Sequence, residues 1–267
     1  MSIQFFCPRW GSEHLSWDVF CEKVKQAGYN GIEYAIAATV TQQELDEVWN
    51  IAAKHNLKIV AQHYDTYEAD FSKHFDLYAA WLEKIKSYPV VKINSQTGKD
   101  FFTFEQNKQL IDAAVASGLQ IVHETHRNKF TFAAHITKEY LEKIPYLRIT
   151  LDASHWVCVA ESFLDDQQEA IQLAIERTDH IHARVGYPEG PQVPDPGAPE
   201  WQEALNKHLS WWDKVVEKKK YDNELLTIAP EFGPFPYMVR IPVTGYPVSD
   251  QWQVNIYMMQ LLKERYN

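Results

Sequence analysis

Residues 120–152 read QIVHETHRNKFTFAAHITKEYLEKIPYLRITLD. The stretch opens and closes on a short β-type run, 120–124 and 148–152, and each run ends in a carboxylate, Glu124 and Asp152. The chain between them is long enough for a crossover helix, which is what brings one strand back parallel to its predecessor. Further runs of the same kind lie at 3–7, 31–35, 58–63, 90–94, 180–185 and 225–231. The eight C-terminal ends fall near 7, 34, 63, 94, 124, 152, 182 and 231, in steps of 27, 29, 31, 30, 28, 30 and 49 residues. A strand–helix step repeated this evenly predicts an α/β chain folded as a (β/α)8 TIM barrel, a single domain over 1–267. A doubly wound open sheet is disfavoured because no glycine-rich phosphate turn follows the first run. Helix signals fill the gaps. Thr41 and Glu44 form a capping-box pair. Residues 104–117 place Leu110, Ile111, Ala114 and Val115 at helical spacing before Gly118 as C-cap. Residues 251–265 place Trp252, Ile256, Met259 and Leu262 on one face.

Composition narrows the function. The chain has 267 residues, 45% of them apolar, with 26 Lys+Arg against 36 Asp+Glu and a net charge of −10. The apolar share supports a packed core, and the acidic balance disfavours a phosphate backbone as partner, so no nucleic acid is expected. No apolar run approaches the length that spans a membrane, so no membrane partner is expected either. The opening MSIQFFC lacks a basic region and a long apolar run, and Cys7, Cys21 and Cys158 are odd in number and far apart. Both features point to a cytoplasmic protein with free thiols. Ten of the 13 prolines lie in 186–199 and 230–247. Loops this long and proline-rich are usually functional, and 186–199 is expected to cover the site as a lid or to meet a neighbouring subunit. His14, His55, His74 and His208 are expected at the surface.

In a barrel, residues at the C-terminal strand ends converge on one mouth. Those ends carry His63, Glu124, Asp152, His182 and Glu231. Four successive strands ending in Glu, Asp, His and Glu would place carboxylates where they repel and raise one another's pKa, unless a divalent cation sits among them. Three carboxylates and one imidazole suit one Mn, Mg, Co or Zn ion, with the oxygen excess leaning to the harder ones.

The chain resembles the xylose-isomerase-like TIM barrels, the sugar phosphate isomerase/epimerase group. The resemblance rests on Ala27-Gly28-Tyr29-Asn30-Gly31-Ile32-Glu33, His123-Glu124-Thr125, Asp152-Ala153-Ser154-His155, His180-Ile181-His182 and Pro230-Glu231. It implies that Glu124, Asp152, His182 and Glu231 hold one divalent metal, that Glu124 and Glu231 are the acid/base pair, and that His155 touches substrate. The implied enzyme isomerises or epimerises a small sugar or sugar derivative by taking a proton next to a carbonyl, through an enediolate the metal stabilises. A dehydratase or lyase on a related polyol or keto acid uses the same chemistry and is the alternative. Arg184, His63, Trp10 and Arg127 are further candidates for substrate contact. Ketose 3-epimerases typically carry another glutamate about six residues past the first ligand; here Phe130 stands there, which disfavours a free ketohexose and, with Arg127 and Arg184, favours a different or more acidic substrate. An abasic-site endonuclease on the same barrel is disfavoured by the charge, and a non-catalytic sugar binder by four ligand-type strand ends. A homo-oligomer stays open.

Overall fold

In the computed structural model, which describes residues 2–266, the eight runs become parallel strands that close into a barrel in chain order. They are β1 (Ser2–Pro8), β2 (Gly31–Ala35), β3 (Lys58–His63), β4 (Ile93–Ser95), β5 (Ile121–Glu124), β6 (Ile149–Leu151), β7 (Thr178–His182) and β8 (Leu225–Ala229). Closure comes from β8 pairing with β1, Leu225 opposite Ser2 through Ile228 opposite Phe5. Gly31 pairs with Phe6 on one side and Lys58 on the other. A Cβ there would stand 2.2 Å from the Lys58 carbonyl oxygen, so only glycine lets the three strands meet.

Helices α1 (Trp17–Ala27), α2 (Gln42–Lys54), α3 (Phe71–Ile85), α4 (Phe104–Ala116), α5 (Ala134–Lys143), α6 (Ala153–Ala160), α7 (Gln168–Arg177), α8 (Gln202–Asp222) and α9 (Gln251–Tyr266) surround the strands. Thr41 and Glu44 form the expected capping box on α2, and Thr103 with Gln106 forms another on α4. Ser117 caps α4, and Gly118 lies one residue beyond at φ +73°.

Strand alternation sorts the side chains. Ile32, Ile149, Ile181 and Ile228 join Leu45, Val48 and Ile171 in the core between strands and helices. Each such side chain contributes about 1.5–3 kcal/mol by leaving water. Glu33, Asn94, Thr150, His180, His182 and Thr227 are also buried, but they are polar and bond to one another inside the barrel or remain unpartnered there.

Several expectations shift. The fourth strand starts at 93 rather than 90, although Val91 N already donates to the Ile59 carbonyl at 2.8 Å. The seventh starts at 178 and ends at 182, because Val185 accepts from Val193 N (2.9 Å) and the chain turns there. On α9 the buried residues are Val254, Asn255, Met258, Met259, Leu262 and Tyr266; Trp252 and Ile256 are only half-buried, Trp252 lying under Lys23 Nζ at 3.7 Å. The loop 186–199 is no lid. Val193 is in the core, Gln192 exchanges two hydrogen bonds with the Gly233 backbone (2.7 and 3.1 Å), and none of the loop's residues lines the main cavity. His74 and His208 are fully buried rather than on the surface.

His208 gives the fold an acid limit. Its Nδ1–H donates to the Ala204 carbonyl (2.9 Å), leaving Nε2 to accept from Gly186 N (3.3 Å). A second proton would break that bond, and burial pushes the imidazole down to about 4 despite the Ala204 carbonyl. The unfolded chain takes this proton near pH 6.5, so stability present above that pH is lost as pH falls towards 4, by about 3 kcal/mol. Thermal melts should show Tm falling across this window, and His208→Gln should flatten part of the fall. An identical slope in the variant would refute the assignment.

Candidate metal centre and cavity

The barrel brings the four expected ligands together. Glu124 ends β5, Asp152 follows β6, His182 ends β7 and Glu231 lies two residues past β8. All four are buried, and one donor atom from each lies within 4.8 Å of the others. Asp152 is also the N-cap of α6, its Oδ1 accepting from Ser154 N at 3.0 Å and from the Ser154 hydroxyl. His182 Nδ1 is 2.8 Å from Glu231 Oε2 and 3.5 Å from Glu124 Oε1. Yet His182 Nδ1 and Glu124 Oε1 are buried without a hydrogen-bond partner. Orphaned buried donors and acceptors are rare in folded proteins, and these two face each other inside one cluster. The donor set and its unmet valences therefore fit a divalent cation.

The opposite edge of His182 is held. Nε2 lies 3.0 Å from Glu33 Oε1, and Glu33 Oε2 lies 3.4 Å from His180 Nε2, whose Nδ1 meets Thr227 Oγ1 at 2.7 Å. With a cation bound, a carboxylate on Nε2 would keep the proton there and leave the Nδ1 lone pair for the ion; without one, the surrounding carboxylates favour a ring protonated on both nitrogens. Asn94 Nδ2 donates to Glu33 Oε1 (3.2 Å) and Glu124 Oε2 (3.0 Å), tying the two layers together. Burial pushes the Glu33 carboxyl up, but His182 and His180 outweigh it and hold it at about 2. Burial likewise opposes ionisation of Glu124, and the His182 charge overcomes it, so Glu124 stays below the usual carboxylate range. His182 is held down by burial and pulled up by Glu231, Glu33 and Glu124, ending well above an ordinary imidazole. Asp152 is raised to about 6 by burial, against the Arg184 charge.

Arg184 is the cation the cluster already contains. Its Nη2 pairs with Asp152 Oδ2, its Nε donates to Ser154 Oγ (3.2 Å), and its Nη1 is 3.7 Å from Glu231 Oε2. His155 is fully buried behind it, Nε2 2.7 Å from Arg184 Nη2 and Nδ1 3.0 Å from Arg127 Nε. A neutral imidazole has one acceptor nitrogen, so only one of these contacts is a full hydrogen bond. His155 therefore props two arginines and does not line the cavity.

The cluster opens into a cavity of about 680 Å³, which Glu124, Arg184 and Glu231 line from below. Trp10 and Arg127, two of the sequence's candidates for substrate contact, also line it. Trp10 meets Tyr237 edge to face at 5.2 Å and lies on Gly233, where a Cβ would come within 2.1 Å of the indole. His63 is not part of this wall: its nitrogens meet Ser95 Oγ (3.1 Å) and Thr66 Oγ1 (2.7 Å), and Tyr78 and Trp81 pack on it. Phe130 is core, packed on His123 and Tyr140, while its neighbour Lys129 lines the cavity.

Sequence reasoning missed Glu33, Gln62, Asn94 and Lys129 as site residues. Gln62 Nε2 donates to Glu231 Oε1 at 3.2 Å. A carboxylate inside the otherwise apolar 31–35 run was the signal that could have flagged Glu33; the others carry no local mark.

These features define a closed, parallel eight-stranded (β/α)8 barrel with a buried candidate metal cluster at its C-terminal mouth. Solved structures with the same fold include the probable 3-DHS dehydratase AsbF, involved in petrobactin synthesis, from Bacillus anthracis (TM-score 0.60, 16% identity, 99% of this chain and 100% of that one). Others are a xylose isomerase domain containing protein from Salmonella typhimurium (0.60, 14%, 100% and 97%) and a D-tagatose 3-epimerase-like protein (0.60, 12%, 98% and 96%). No protein-family model matches the chain, and no curated protein matches it in sequence.

Proposed function

We propose that this protein is a divalent-metal-dependent isomerase or epimerase of a small sugar derivative, working by proton transfer at a carbon next to a carbonyl. The observation that carries the reading is the buried cluster of three carboxylates around His182, one donor atom of each within 4.8 Å of the others, in which His182 Nδ1 and Glu124 Oε1 lack a hydrogen bond and which opens on a cavity of ligand size. Glu124, Asp152, His182 and Glu231 hold the ion. A divalent ion held there would supply Lewis acidity, which would make the C–H next to a substrate carbonyl more acidic. Glu124 and Glu231 come from different strands and both line the cavity, so one carboxylate takes the proton from carbon and the other returns one to the neighbouring carbon or the opposite face. Arg184 fixes Asp152, Gln62 orients Glu231, and Trp10 with Tyr237 supplies an aromatic wall for the apolar face of a sugar. The same carboxylates serve a dehydratase if a β-hydroxyl leaves after the proton is taken, and the name of the Bacillus anthracis fold neighbour supports keeping that reading second.

The test is metal content after Mn²⁺ loading and desalting, for wild type and Asp152→Asn, followed by solvent-deuterium exchange into candidate ketoses and keto acids. About one ion per chain in wild type, lost in the variant, is expected, with exchange only in the loaded wild type. Net loss of water instead of exchange selects the dehydratase. No metal in either protein would refute the metal-dependent reading.

A further inference from the structure

The cavity carries positive charge that the metal cluster does not use. Arg9, Lys99, Arg127 and Lys129 stand in or beside its wall, and none makes an ion pair among the described residues, in a chain of net charge −10. Arg9 is accounted for in part by backbone carbonyls and by the rings of Trp17 and Phe20. Arg127 bonds to His155 and Tyr237. Lys129 has no hydrogen bond and no ion pair among the described residues, and its one ring contact, with Tyr67, is long at 5.8 Å. Lys129 is 2% exposed and lines the cavity. Lys99, 4% exposed, adds a second ammonium group: the two lie 5.4 Å (Lys99) and 5.8 Å (Lys129) from the ring centroid of Tyr67, itself a cavity residue. Two buried like charges with no counter-charge in contact are costly to hold, and a ligand anion placed against them recovers that cost as a charge-assisted hydrogen bond.

We propose that Lys129, backed by Lys99, is the subsite for an anionic group of the substrate, a carboxylate or a phosphate, so that the reacting molecule is an acidic sugar derivative and not a neutral sugar. This rests on reading the cavity as the substrate site. Burial first, and repulsion from Lys99 second, bring the Lys129 ammonium down to about 8; the charges of Glu124, Asp65 and Asp100 pull the other way without touching it. An anion alongside would restore it to full protonation.

The experiment uses metal-stripped, full-length protein, so that an anion cannot bind through the ion. Inorganic phosphate and acetate are titrated separately at constant ionic strength in chloride, and the fluorescence of Trp10 and Trp17, both at the cavity, reports binding. Saturable binding to wild type is expected, weakened at least about tenfold in Lys129→Met. Lys99→Met should weaken it less, and the surface control Lys73→Met not at all. Preference for phosphate assigns a sugar phosphate, and preference for acetate a sugar acid. Lys129→Met should melt no lower than wild type, since it removes an unpaired buried charge; if it fails to fold, Lys99→Met carries the comparison. No saturable binding, or equal affinity in wild type and Lys129→Met, would overturn the proposal. Metal content measured in parallel keeps the two readings apart: metal without anion binding sinks only the subsite, and anion binding without metal sinks only the metal chemistry.

Discussion

Glu231→Gln is expected to slow solvent-deuterium exchange by about 10²–10⁴-fold on any substrate the wild type turns over. The substitution keeps the shape of the side chain and an oxygen for Gln62, which donates to Oε1 at 3.2 Å. What it removes is the basic lone pair that accepts a proton from carbon, and one negative charge beside His182 Nδ1. Glu124→Gln should act similarly, because Oε1 is the unpartnered oxygen and Asn94 occupies Oε2. Metal content must be read alongside, since both residues are also proposed ligands. A variant that keeps its ion and loses exchange isolates the proton-transfer role. Unchanged exchange in both variants would mean that neither carboxylate moves the proton.

The second large effect lies outside the four ligands. Glu33→Gln should weaken Mn²⁺ binding by about 10- to 100-fold, the usual consequence of removing the partner that orients a ligating histidine. Glu33 does not line the cavity. It acts through His182, whose Nε2 lies 3.0 Å from Oε1, and through His180 at 3.4 Å from Oε2. A neutral amide cannot favour the Nε2–H tautomer as a carboxylate does, so Nδ1 spends less time as a free lone pair. Calorimetric titration with Mn²⁺ reads the change directly. Glu33→Asp, which keeps the charge on a shorter side chain, should recover part of the affinity. Affinity equal to wild type in Glu33→Gln would show that packing alone holds the ring.

The barrel and the four candidate ligands were legible along the chain because their signals are local. A step near 30 residues is the length of one strand, one helix and two short connections, and it recurs whatever the three-dimensional partner of each strand. Glu124, Asp152, His182 and Glu231 were visible because each stands at the end of such a run, and barrel geometry sends all strand ends to the same mouth. Capping boxes such as Thr41 with Glu44 are read the same way, since both partners lie within one helical turn.

The remainder depended on contacts between residues far apart in sequence. Glu33 and His182 are separated by 149 positions, and nothing near either one shows that a carboxylate on β2 fixes a ring on β7. His63 ends a strand as Glu124 does, but Thr66, Ser95, Tyr78 and Trp81 hold its ring away from the cavity. Proline content marked 186–199 as unusual without telling a lid from an anchored strap; the bonds from Gln192 to Gly233 settle that. Nothing in the sequence singles out Lys129 or Lys99 from the chain's other lysines. Folding alone buries them beside the cavity without an acidic partner in contact, because burial and pairing are properties of the packed barrel and not of any segment.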